Sequence, residues 1–258
     1  MHSAASPDSG GLAMVRWLPD VLPAQLDAVA PTLQIPADSS ATVVCVTSDA
    51  DHYWAESYSP AGRPIEFCGH GALAAAWFML NEHKPDAPAL RFINRQRTWQ
   101  ARRVASDVAD IALTYARPRP LECEVPDFVG ACLGSKPLAA AEVGADTDYL
   151  ILEFSDAATV QSLEPNADAI TAASQRAFIV TARADDDKPA CVFRYFAPQY
   201  GDPEDAATGS AAVQLAAYWS PRLNVEHFTA RQLSRQSATM QLTCHDDVVE
   251  LSALVGYG

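Results

Sequence analysis

The sequence predicts an α+β protein with many strands, divided into two similar halves. Three observations predict it. Short runs rich in Val, Ile, Thr and aromatic residues recur along the chain, each about the length of a strand. Two stretches of small residues with helical character stand a little over half the chain apart, each entered through a glycine turn. Between them Arg117-Pro118-Arg119-Pro120 breaks the pattern and reads as a linker. The expected division is residues 1–116 and 121–258, with the last strand crossing back to the first half.

The first half starts with small polar residues through position 11, a poorly ordered start or a degraded first strand. Residues 11–15 lead into a strand. Residues 22–30 (LPAQLDAVA) read as a short amphipathic helix with Pro23 near its first turn. Ala37-Asp38-Ser39-Ser40 reads as a turn into the β-branched strand 41–47. Residues 53–59 form a further strand, and Pro60-Ala61-Gly62 turns the chain. Then comes Phe67-Cys68-Gly69-His70-Gly71-Ala72, a polar turn feeding a helix over 71–82 that ends near Asn81. Residues 89–93, 98–104 and 108–115 alternate like an antiparallel meander. Arg95, Arg97, Arg102 and Arg103 are expected on its solvent face.

The second half opens with a short helix near 127–133 and a strand at 148–154. Pro165-Asn166-Ala167 starts another helix, and 177–182 and 191–196 are apolar strands. They deliver the chain to residues 201–219, GDPEDAATGSAAVQLAAYW. Glu204 and Asp205 precede a Thr208-Gly209-Ser210 turn, and the helix pattern runs from Ala211. Residues 239–244 and 248–254 read as a final hairpin. Laid over one another without gaps, the two turns place Cys68 on Ala206, His70 on Thr208, Gly71 on Gly209 and Ala72 on Ser210. A helix start exposes N–H groups and a positive dipole end, suited to a carboxylate or phosphate. Two such starts are expected to face one cleft, with Gly69, Gly71, Thr208, Gly209 and Ser210 as the substrate-binding residues.

FCGHGALAAAW together with YFAPQYGDPEDAATGSAA resembles the phenazine-biosynthesis-type (PhzF-like) isomerases, within the wider diaminopimelate epimerase and proline racemase fold. The resemblance covers most of the chain; the first fifteen residues and the tail match poorly. It implies that each half is a mixed, largely antiparallel sheet wrapped around a central helix. It implies a cofactor-free proton shift on a small carboxylic acid, and a homodimer. His70, Asp205 and Ser210 occupy the positions of the family's histidine, aspartate and turn serine. The family's proton-moving glutamate falls on Ser40, and Asp38 is the nearest carboxylate. Glu66, beside the His70 turn, is a further carboxylate in reach by sequence. The racemase branch uses two facing thiols; Cys68 matches the first, but Ala206 stands where the second would be.

Composition narrows the partners. The chain has 258 residues, 49% of them hydrophobic, enough for one large or two ordinary domains. A formal net charge of −14 with no Lys/Arg run argues against nucleic acid and anionic membrane. No apolar run reaches a membrane-spanning length of about 20 residues. MHSAASPDSGG lacks the features of a secretory leader, so the cytoplasm is expected. Six cysteines show no C-x-x-C or metal spacing and read as buried thiols, Cys68 excepted. Nucleotide-loop and zinc-helix motifs are absent, so neither cofactor nor metal is expected. The expected function is a cofactor-independent isomerase with His70, Asp205 and Asp38 as catalytic groups. The alternative is a small-acid-binding relative that has lost the base.

Overall fold

The computed structural model describes residues 2–4, 13–33, 42–49, 52–59, 62–65, 68–95, 97–104, 110–184, 190–201, 203–235 and 237–255. The chain forms two compact units: residues 1–116 with 250–258, and residues 117–249.

The first unit carries strands β1 (His2–Ala4), β2 (Ala13–Trp17), β3 (Thr42–Ser48), β4 (Tyr53–Tyr58), β5 (Pro64–Ile65), β6 (Ala89–Ile93), β7 (Thr98–Arg103) and β8 (Ile111–Ala116). Along the sheet β1 to β4, then β6 and β7, pairing runs antiparallel, parallel, antiparallel, parallel, antiparallel. Parallel neighbours cannot be joined by a tight turn and need a crossover. The short helix α1 (Leu26–Val29), with single 3-10 turns on both sides, crosses from β2 to β3. Helix α2 (Gly69–Phe78) crosses from β4 and β5 to β6. The two helices take opposite faces of β3. Val43 and Cys45 pack with Leu26, Ala30 and Tyr58 on the α1 side, whereas Val44 lies beside Gly71 of α2. A strand covered on both faces reads as an unbroken apolar run, which is the character of TVVCVTS.

The second unit repeats this plan. Its strands are β9 (Leu121–Cys123), β10 (Ala139–Val143), β11 (Tyr149–Glu153), β12 (Ala177–Arg183), β13 (Cys191–Phe196), β14 (His227–Gln232) and β15 (Ala238–Cys244). From β10 to β15 the pairing again runs antiparallel, parallel, antiparallel, parallel, antiparallel. Helices α3 (Val129–Leu133), α4 (Ala157–Ser162) and α5 (Ala167–Ala173) supply Val129, Leu133, Val160 and Ile170 to a core with Leu150, Phe178 and Val192. Helix α6 (Gly209–Leu223) is the crossover from β13 to β14, buried from Gly209 to Ser220. Trp219 Nε1 donates to Thr181 Oγ1 of β12 at 3.0 Å, and Tyr218 donates to Glu153 of β11 at 2.6 Å. Strand β16 (Val248–Ala253) begins in this unit and ends in the first.

One local expectation is corrected. Helix α2 does not run evenly to Asn81; it gives way after Phe78 to a wider π turn, Met79–His83, closed by Lys84 N–H on Met79 C=O at 2.7 Å. The meander arginines do lie toward solvent, Arg95, Arg102 and Arg103 exposed and Arg97 half-buried, and the exposed three are also bound. Arg95 binds both Glu56 and Asp27, and Arg102 pairs with Glu250. Arg103 donates to the carbonyls of Leu80, Pro85 (2.6 Å) and Ala87 (2.9 Å), so it satisfies the end of α2 and the loop after it. Arg103→Ala is expected to lower the unfolding free energy by about 1 kcal/mol in urea titration, the scale of a partly exposed charged hydrogen-bond set. An unchanged midpoint would show that those carbonyls do not depend on Arg103.

Candidate active site

Helix α2 opens at Cys68, whose backbone is extended (φ −121°, ψ 102°) before the chain turns helical at Gly69. Its C=O accepts the Ala72 N–H at 2.9 Å, the first bond of the helix. The Cys68 thiol lies against the His70 imidazole, Sγ being 3.4 Å from Nε2 and 3.5 Å from Nδ1. His70 Nε2 shares a proton with Thr42 Oγ1 at 3.0 Å. Thr42 begins β3 and is buried, as is Cys68, while His70 is half-buried. Gly71 admits no side chain: a Cβ there would stand 2.7 Å from Ser57 Oγ, 3.0 Å from Val44 Cγ2 and 3.1 Å from Cys68 Sγ. The first turn of α2 therefore sits directly on β3 and β4. His70 is held between the Thr42 hydroxyl and the Cys68 thiol.

Helix α6 opens at Thr208 (φ −102°, ψ 87°). Thr208 N–H donates to Gln232 Oε1 at 2.6 Å, and Thr208 Oγ1 donates to Asp205 Oδ2 at 2.7 Å. Gln232 Nε2 donates to Asp205 C=O at 2.6 Å and reaches Thr208 Oγ1 at 3.2 Å. Ser234 Oγ donates to Ala206 C=O at 2.5 Å. One residue earlier, Glu204 is gripped at both oxygens by Arg194, at 2.7 Å and 2.9 Å. Arg194 Nη1 also donates to Leu163 C=O at 2.7 Å, at the carbonyl end of α4, where a cation is favoured. Tyr200 OH donates to the carbonyls of Thr147 and Gln175, at 2.7 and 2.8 Å. The loop before α6 is thus tied at Tyr200, Glu204, Asp205, Ala206 and Thr208. The first N–H groups of α6 and the buried Ser210 stand at the positive end of the helix dipole, where an anionic oxygen is favoured.

The sequence-derived site residues fall as follows. Gly69, His70 and Gly71 form the first turn of α2, with Cys68 as its cap. Thr208 caps α6, Gly209 and Ser210 begin it, and Asp205 is bound to the Thr208 hydroxyl. Asp38, Ser40 and Glu66 lie outside the described residues. Thr42, Ser57, Arg194, Gln232 and Ser234 were missed by sequence reasoning. Arg194 left a signal, a charge inside the apolar strand CVFRYF. Gln232 left little, because the strand HFTARQ alternates weakly and its inward positions are Phe, Ala and Gln. Among the other cysteines, burial pushes Cys45 up to about 12, and raises Cys132 and Cys191 too. Those thiols are packing groups. Among the described residues no group of three His, Cys, Asp or Glu side chains is placed to hold a metal ion. No helix among them is long and apolar enough to cross a membrane.

Gly71→Ala is expected to cost about 1–3 kcal/mol of stability, the usual range for overpacking. In a Ser57→Ala background the same change should cost at least about 0.5 kcal/mol less, the scale of coupling between touching residues. Equal costs in the two backgrounds, by urea unfolding, would contradict the close contact between Gly71 and Ser57.

Comparison with known proteins gives the family and the fold. The phenazine biosynthesis-like protein family, PhzC–PhzF, matches residues 38–253. An uncharacterized isomerase of Pseudomonas aeruginosa is 31% identical over 253 residues, covering 96% of this chain and 91% of its own. A PhzF-family phenazine biosynthesis protein from Enterococcus faecalis superposes with a TM-score of 0.80 at 22% identity, over 99% of this chain and 95% of that one. A probable proline racemase from Agrobacterium radiobacter, solved with bound carbonate, superposes with a TM-score of 0.62 at 9% identity, over 100% and 90% of the two chains. Those two likenesses establish the fold. With both helix starts inside the matched span, the chain belongs to the phenazine biosynthesis-like PhzC–PhzF family, built on the racemase and epimerase type of α+β fold.

Proposed function

We propose that this protein is a cofactor-independent isomerase that moves a proton on a small carboxylic acid. The observation that carries the proposal is the pairing of a proton-handling side chain with an ordered helix start in each unit. His70 stands in the first turn of α2, held by Thr42. Asp205 stands at the mouth of α6, held by Thr208. Neither packing nor solubility requires a half-buried histidine or a carboxylate bound to a buried hydroxyl at those places. The substrate carboxylate is assigned to the Gly209–Ser210 helix start. A base removes the proton from the acidic carbon, the helix-start donors stabilise the enolate-like charge, and an acid returns the proton to a different carbon. No atom is gained or lost, and no redox partner is needed. Asp38 is the proposed base, with His70 and Asp205 returning or relaying the proton. The name isomerase carried by the Pseudomonas relative agrees with this class.

One feature of the sequence favours a second function. Ser40 occupies the place of the family's glutamate base, and a serine needs activation before it can take a proton. The alternative is a protein that binds a small acid without turning it over.

The test is deuterium exchange followed by NMR in D₂O, on a panel of small aromatic and amino carboxylic acids first screened for binding by calorimetry. The expected result is exchange at the acidic carbon of at least one bound acid. His70→Ala and Asp38→Asn should each slow it by about 10²–10⁴, the usual contribution of a general acid or base. Undiminished exchange in Asp38→Asn would remove Asp38 from the role of base. Binding without exchange for every acid would establish the non-catalytic alternative.

A further inference from the structure

The buried amide of Gln232 lies at the end of β14, far along the chain from either motif turn, and is fully shielded from solvent. Its orientation is forced by chemistry. A backbone N–H can only donate, so the atom 2.6 Å from Thr208 N must be Oε1. A backbone C=O can only accept, so the atom 2.6 Å from Asp205 O must be Nε2. Nε2 has a second hydrogen, and it points to Thr208 Oγ1 at 3.2 Å. A hydroxyl that accepts from Gln232 spends its own proton elsewhere, and the acceptor 2.7 Å away is Asp205 Oδ2.

We infer that Gln232 is a positioning residue, which through Thr208 fixes the Asp205 carboxylate with Oδ2 committed inward and Oδ1 assigned to proton chemistry. The same side chain also accepts the Thr208 N–H, so one amide holds the cap residue at both its backbone and its hydroxyl. This inference rests on the proposed role of Asp205 in proton transfer. It is separate from general anchoring of the loop, for which Ser234 on Ala206 and Arg194 on Glu204 supply independent ties.

The test uses the full-length protein with Gln232→Glu, Thr208→Val, Ser234→Ala and Asp205→Asn. Gln232→Glu keeps the acceptor for Thr208 N–H and the size, but presents an oxygen to the Asp205 carbonyl and the Thr208 hydroxyl. The expected result is a fall in kcat for exchange of about tenfold to 10²-fold in Gln232→Glu and Thr208→Val, the scale of a misplaced catalytic group, with KM moved less than about threefold. Ser234→Ala should stay within about twofold, since it loosens the loop without touching the relay. A loss in Ser234→Ala equal to that in Gln232→Glu would overturn the inference in favour of plain loop anchoring. A loss in Asp205→Asn with full activity in Gln232→Glu and Thr208→Val would overturn it while leaving the proposed function standing. Full activity in Asp205→Asn would instead remove Asp205 from the reaction, and with it the basis of the inference. Hydrogen exchange gives a readout free of substrate: the Thr208 amide should exchange at least about tenfold faster in Gln232→Ala, as a buried bond is lost. An unchanged rate there would also overturn the assignment.

Discussion

A helix that begins inside a protein carries its first N–H groups to a place where its own turns cannot satisfy them. Each unit meets this constraint at its central helix. Helices α2 and α6 start in the core rather than at the surface, with Gly71, Thr208 and Ser210 all buried. Ordinary caps are absent at both starts, since neither Cys68 nor Thr208 caps its helix with its own side chain. At α6 a glutamine at the end of β14, the strand that follows the helix, takes one N–H, and the cap hydroxyl turns instead to Asp205. A burial penalty of a few kcal/mol per unsatisfied group makes such starts costly unless a partner or a ligand is at hand. The proposed chemistry places an acid's oxygens at such a start.

The repeat explains why this happens twice. In both units the pairing order alternates antiparallel and parallel through the same five steps. Every parallel step requires a crossover, and in each unit the longest crossover helix packs against the strands of its sheet. The helix must pack closely on strands at its very first turn. Gly71 shows how closely, because one added carbon meets Ser57, Val44 and Cys68 together. Small residues over 69–76 and 209–217 are the consequence, and the polar groups sit at the single end where that packing stops.

Much of the fold was legible because central strands and helices carry strong patterns. The runs TVVCVTS and CVFRYF are apolar enough to be strands in any reading. Edge strand Leu121–Cys123 and strand Ala139–Val143 are short and alanine- or glutamate-bearing, so propensity gave no warning of them. The two turns stood out as candidate sites because glycine, histidine and acidic residues gathered where packing had no use for them. Their supports did not. Thr42, Arg194 and Gln232 come from other strands, and only tertiary structure brings a residue such as Gln232 back to a turn formed more than twenty positions earlier. The arginines of the meander were legible as an exposed face, but their partners Asp27, Glu56, Leu80 and Glu250 were not, because they lie far away in sequence.

The most direct measurement of the account is a crystal structure with a bound small carboxylic acid taken from those that bind in solution. The account predicts a carboxylate oxygen within about 3 Å of the Gly209 and Ser210 N–H groups, ordinary hydrogen-bond distance. It also predicts that the Gln232–Thr208–Asp205 chain is unchanged by the ligand. An acid seated elsewhere, with the α6 helix start taking no part, would contradict it.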